Sequence, residues 1–176
     1  MMLIQSHSPP LLLTLYILLV IGQIIMCCYT NLGQYIMLTM LPAMVLCIPT
    51  GIRTSLCMII AFASGFAVDW LSEGLLGLNA AALVPVALAR KGIIRIFLGE
   101  DIINRNDSFS IRRNGLGKVS FALIIATVIF LAIHIFLDGA GTRPFWFSMT
   151  RFGLSLLLNW ALGLIIINLL TPDDRK

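Results

Sequence analysis

Two acidic side chains fall inside apolar segments of this sequence, and a histidine accompanies one of them. Asp69 lies in the apolar segment 54–71, and Asp138 ends the apolar segment 119–138. His134 precedes Asp138 by four residues, which places both on one face of a helix. Such a pair is typical of a proton relay, but a relay needs further ionisable groups deeper in the membrane, and the sequence has none there. We expect Asp138 to reach the outer interface instead.

Asp69 belongs to a row of small residues. Ala61, Gly65 and Asp69 recur at intervals of four and therefore share one helix face, which lets a second helix approach closely. Asn79, just across the turn 72–77, is a plausible hydrogen-bond partner, worth roughly 0.6–2 kcal/mol. The alternative is that the Asp69 carboxylate reaches back to the outer lipid headgroups. We favour the first interpretation, which makes Asp69 structural.

A second row of this kind occupies the last apolar segment. Ser155, Asn159 and Gly163 are again four residues apart and share one helix face. The row either packs inside the protein or contacts another membrane protein. The sequence leaves both readings open.

Motifs for catalysis or metal binding are missing from the sequence. It contains no metalloprotease or nucleotide-binding signature and no nucleophile with a nearby base. The cysteines have no metal-ligand spacing, so we interpret them as apolar packing residues. They are Cys27, Cys28, Cys47 and Cys57. We expect no enzymatic activity, no cofactor and no metal site.

The composition places these residues in a membrane. The chain has 176 residues, of which 59% are hydrophobic and 11% are charged, whereas about a quarter of a soluble domain is charged. The mean hydropathy is +0.99. These values predict an all-α integral membrane protein with one transmembrane domain over residues 1–176. The net charge of +4 is expected of cytoplasmic loops, so we exclude nucleic acid as a partner.

Six apolar segments are candidates for transmembrane helices, which need about 20 residues each. The fourth is short, and it either continues into residues 92–98 or lies half-buried. A fallback model has five crossings, with the third and fourth segments merged into a re-entrant hairpin. The six predicted spans are 10–28, 32–49, 54–71, 75–89, 119–138 and 152–170.

The basic residues predict the orientation of the bundle. With six spans, all of the 12 basic residues except Arg143 and Arg151 fall on one side, which is expected to be cytoplasmic. Both termini and the loop 90–118 then face the cytoplasm, as in a multi-pass protein of a bacterial inner membrane. We expect the basic residues of the loop to contact anionic lipids or a cytoplasmic partner. They are Arg90, Lys91, Arg95, Arg105, Arg112, Arg113 and Lys118.

Residues 62–90, FASGFAVDWLSEGLLGLNAAALVPVALAR, resemble the bacterial rod shape-determining MreD family. That family has a glycine, an aspartate and a serine between hydrophobic residues, then Pro-Leu-Gly and a run of small residues. The matching positions are Gly65, Asp69, Ser72, Gly77, Asn79 and the alanines that follow. Leu75-Leu76-Gly77 departs from the family pattern by lacking its proline.

The resemblance implies a non-enzymatic scaffold or adaptor of the cell-elongation complex, supporting cell shape and lateral peptidoglycan synthesis. The partners it implies are an MreC-like protein, the RodA and PBP2-like wall synthases and MreB-like filaments. It also implies a fold similar to the S components of energy-coupling-factor transporters. A substrate-binding S component for a vitamin or metal is therefore the alternative function. That class carries an Ala-x-x-x-Ala type motif in its first span, which is absent from residues 11–28 here.

Overall fold

The computed structural model describes residues 9–29, 36–73, 76–99, 109, 114–139 and 144–170. Every regular element in these ranges is helical, in agreement with the all-α prediction. The α-helices are α1 (Pro9–Tyr29), α2 (Leu41–Cys47), α3 (Thr54–Val68), α4 (Leu78–Leu98), α5 (Leu116–Gly139) and α6 (Phe145–Leu170). A π-helical turn, Asp69–Glu73, continues α3.

Three of these helical stretches are long and apolar enough to cross a membrane. They are Thr54–Leu71, Leu116–Gly139 and Phe145–Leu170, with 18, 24 and 26 residues. The apolar stretch Leu13–Tyr29 of α1 is somewhat shorter. The chain is thus an α-helical membrane protein, because helices of this length and composition match the apolar thickness of a bilayer.

The fourth predicted span and the loop after it have different limits in the structure. The helix α4 has 21 residues and continues to Leu98, which confirms the first of the two alternatives for this segment, but it begins at Leu78 and not at residue 75. Residues 90–98 therefore belong to α4 and residues 116–118 to α5, so the predicted loop 90–118 is shorter than expected. Arg90, Lys91 and Arg95 lie on a helix because the apolar residues between them continue its buried face.

Contacts between helices fix their relative directions. We call the end where α3 joins α4 (Asp69–Asn79) the hairpin end, and the end where α4 stops and α5 starts the basic end. The Tyr16 hydroxyl lies 3.3 Å from the Ser64 hydroxyl, and the Cys28 thiol lies 3.9 Å from the Leu71 carbonyl oxygen. The helices α1 and α3 therefore run in the same direction, and both point to the hairpin end.

The later helices alternate in direction. At the basic end, the rings of Phe97 and Phe121 stack with their centroids 6.4 Å apart, which joins the end of α4 to the start of α5. At the hairpin end, Arg151 of α6 forms an ion pair with Asp138 of α5. It follows that α4 and α6 run towards the basic end, whereas α1, α3 and α5 run away from it.

The second predicted span is not one helix, which corrects the expectation for residues 32–49. Residues 36–40 have no regular secondary structure, and α2 has only seven residues. Two prolines explain these limits. Pro42 lies in the first turn of α2, where its missing N–H costs nothing but blocks an upstream extension of the helix. Pro49 pushes the preceding Ile48 out of the helical region, to ψ 140°.

This broken segment still connects the two ends of the bundle. Since α1 ends at the hairpin end and α3 begins at the basic end, the chain between them must run the length of the bundle. The seven residues of α2 span only about 10 Å of the ~30 Å apolar core of a bilayer, so irregular backbone accounts for the rest of the length. The residues Leu41–Leu46 of α2 are all buried, and α2 contacts α1, α3, α4, α5 and α6. Because it is so enclosed, the segment sequesters its irregular backbone from lipid.

Candidate functional site

The Asp69 carboxylate is fully buried and binds the start of α4. Its Oδ1 accepts hydrogen bonds from the Asn79 backbone N–H at 3.0 Å and the Asn79 side-chain amide at 2.9 Å. Its Oδ2 accepts from the N–H groups of Gly77 at 3.0 Å and Ala80 at 3.2 Å. The first N–H groups of a helix have no intrahelical partner and carry partial positive charge, so they favour a carboxylate. Asp69 therefore caps α4 from the preceding helix and ties the hairpin together.

Gly65 lets the two helices of the hairpin meet at their backbones. A Cβ atom at Gly65 would lie 2.6 Å from the Cα and 2.7 Å from the N atom of Ala80. Real Cβ atoms do not approach backbone so closely, so only glycine fits. Ala61 of the same row is fully buried. The turn residue Gly77 has a φ of 96°, a left-handed conformation that favours glycine.

The row on α6 contacts the irregular backbone before α2. The Asn159 side chain accepts a hydrogen bond from the Thr39 N–H at 2.8 Å and donates one to the Met37 carbonyl at 2.9 Å. The Ser155 hydroxyl accepts from the Met37 N–H at 2.9 Å. Asn159 thus satisfies backbone groups that have no partner in a helix or sheet. Both side chains are buried inside the protein. For Ser155 and Asn159 this favours packing within the bundle over contact with another membrane protein.

Gly163 completes the α6 row with a different kind of contact. A Cβ atom there would lie 2.8 Å from a methyl carbon of Leu123 on α5. The glycine therefore makes room for the Leu123 side chain. This contact is again internal to the bundle.

Gln23 of α1 is a buried polar residue that the sequence reading missed. Its side chain accepts a hydrogen bond from the Met40 N–H at 2.7 Å and donates one to the Leu38 carbonyl at 3.2 Å. Gln23 and Asn159 therefore hold successive residues of the same irregular segment from two sides. The signal was present in the sequence, because Gln23 is the one amide side chain within the predicted span 10–28.

Arg90 is not a lipid or partner contact, which corrects the expectation for this residue. Its side chain is 1% exposed. The guanidinium donates from Nε and Nη2 to the Leu46 carbonyl, both at 3.4 Å, and from Nη2 to the Ile48 carbonyl. The last carbonyls of a helix lack intrahelical partners and attract a cation. Arg90 therefore caps the C-terminal end of α2.

The other predicted basic contacts divide into two groups. Arg95 and Lys118 are exposed at the basic end, and Lys91 is half-buried. The remaining three, Arg105, Arg112 and Arg113, lie outside the described residues, as does the side chain of Ser72.

At the hairpin end, Asp138 has a cationic partner. Arg151 of α6 pairs with it, and both side chains are mostly buried. His134 is 2% exposed and stacks on Phe130, with ring centroids 5.7 Å apart. The ion pair joins α5 to α6, which gives Asp138 a structural role. Within the part of the chain that the structure describes, no three metal-ligating side chains come together.

Four buried polar side chains thus use their hydrogen bonds mainly on backbone groups. Asp69, Asn159, Gln23 and Arg90 each satisfy backbone groups at a helix end or in the broken segment. Comparison of the chain with protein-family models, with curated proteins and with solved structures finds no match.

Proposed function

We propose that the chain is a non-enzymatic membrane scaffold of the bacterial cell-elongation complex, similar to MreD. In this role it supports cell shape and lateral peptidoglycan synthesis by contacts with an MreC-like protein and with RodA and PBP2-like synthases. MreB-like filaments are further candidate partners. The proposed orientation places both termini and the basic end in the cytoplasm, in the inner membrane.

The observation that carries the proposal is the family-like segment 62–90. Its signature positions Gly65, Asp69, Gly77 and Asn79 form one connected hairpin in which each residue type has a physical reason. A scaffold needs fixed contacts between its helices, and this hairpin supplies one between α3 and α4. The segment is therefore more than a hydrophobic match to the family.

The interior of the bundle supports a scaffold over the S-component alternative. A substrate-binding membrane protein needs polar side chains that face a ligand at the centre or mouth of the bundle. Here the segment 36–48 occupies the centre, and Gln23, Ser155 and Asn159 are used to bind its backbone.

Crosslinking and co-purification from native membranes test the proposal. A tagged copy of the chain at its native level should recover the MreC-like protein and the synthases, identified by mass spectrometry. A tagged inner-membrane protein of similar size serves as the control for non-specific recovery. Depletion of the chain should also make rod-shaped cells round.

Two outcomes would contradict the scaffold. Recovery of an ATP-driven coupling subunit together with a tightly held small molecule would assign the S-component function. Unchanged cell shape after complete depletion, with no synthase recovered, would remove the elongation role.

A further inference from the structure

We draw no further inference here: the strongest candidate, the crevice between α5 and α6 at the hairpin end that is lined by Phe136, Met149 and Phe152, is an unpartnered apolar surface, and nothing in the structure shows what covers it.

Discussion

At the scale of single residues, Asp69 shows how N–H groups accommodate a buried carboxylate, with no cationic partner among the described side chains. Four N–H groups from the start of α4 surround it, two on each oxygen. These dipoles replace the water that the carboxylate loses on burial. The residue therefore stabilises both the start of α4 and the contact between α3 and α4.

Substitution of Asp69 by asparagine and by leucine should separate the contributions of its two oxygens to stability. In Asp69→Asn, one oxygen becomes an amide nitrogen that faces two N–H donors, so about half of the hydrogen bonds are lost. In Asp69→Leu all four are lost. We expect a loss of unfolding free energy on the order of 2 kcal/mol for asparagine and about twice that for leucine. Thermal unfolding in detergent and the yield of folded protein measure the series.

A leucine variant with wild-type abundance and unchanged recovery of partners would contradict this role for Asp69. An asparagine variant as damaging as leucine would mean that charge, rather than the number of hydrogen bonds, determines the effect.

Gly65→Ala tests the close approach of α3 and α4. The added methyl would overlap the Ala80 backbone, so the helices must separate, and we expect a cost of about 1–3 kcal/mol. Gly153→Ala on α6 is the matched control, because a Cβ there meets nothing within 4 Å. It should leave the melting temperature unchanged or raise it slightly. Equal melting temperatures of the two variants would show that α3 and α4 do not pack tightly at Gly65.

At the scale of elements, the segment 36–48 depends on side chains from its neighbours. Residues 36–40 have no regular secondary structure, and α2 is too short to be stable by itself. Gln23 and Asn159 supply hydrogen bonds to residues 37–40, and Arg90 caps α2. The segment is therefore held in place from α1, α4 and α6.

Asn159→Leu should make the irregular residues 36–40 of this segment more mobile. The substitution keeps the approximate volume but leaves the Thr39 N–H and the Met37 carbonyl without partners inside the bundle. We expect faster hydrogen exchange of residues 37–40 and a lower melting temperature. Asn168→Leu is the matched control, since Asn168 lies on the same helix and is exposed. Exchange at 37–40 as slow as in wild type would exclude this role.

Arg90→Leu should loosen the other end of the segment. The carbonyls of Leu46 and Ile48 would lose their donor, so we expect increased thiol labelling of Cys47, the last residue of α2. Arg53→Leu removes an exposed cation at the same end and controls for the change in charge. If Cys47 is labelled equally in both variants, the Arg90 cap contributes nothing measurable to the stability of α2.

These elements also show what sequence reasoning can recover in this protein. The Ala61, Gly65 and Asp69 spacing and the nearness of Asn79 suffice to predict the hairpin, because both depend on local geometry. The broken second span was missed because its composition is mostly apolar, and hydropathy does not distinguish a buried helix from a buried irregular segment. Pro42 and Pro49 were the available signals for its limits. The burial of Arg90 depends on α2, which is distant in sequence, so no local pattern indicates it.

At the scale of the whole molecule, the helix directions bear on the number of crossings. The stretch Thr54–Leu71 is long and apolar enough to cross, whereas α4 has 21 residues but carries three basic residues near its end. If α1, the segment 36–48 and α4 count as crossings beside the three long apolar stretches, the chain crosses six times, and its first and last helices begin and end at the basic end. The proposal that both termini are cytoplasmic rests on this count.

Single-cysteine mapping in a chain without its native cysteines tests the count in whole cells. We expect cysteines placed near residue 5, at residue 105 and near residue 174 to react with a membrane-impermeant maleimide only after the membrane is permeabilised. A cysteine at residue 142 should react in intact cells, because it follows α5 in the sequence and α5 ends at the hairpin end. The five-crossing model predicts that residue 5 is labelled from outside while residues 105 and 174 are not. Labelling of residue 105 in intact cells would reverse the orientation and place the basic end on the outer side of the membrane.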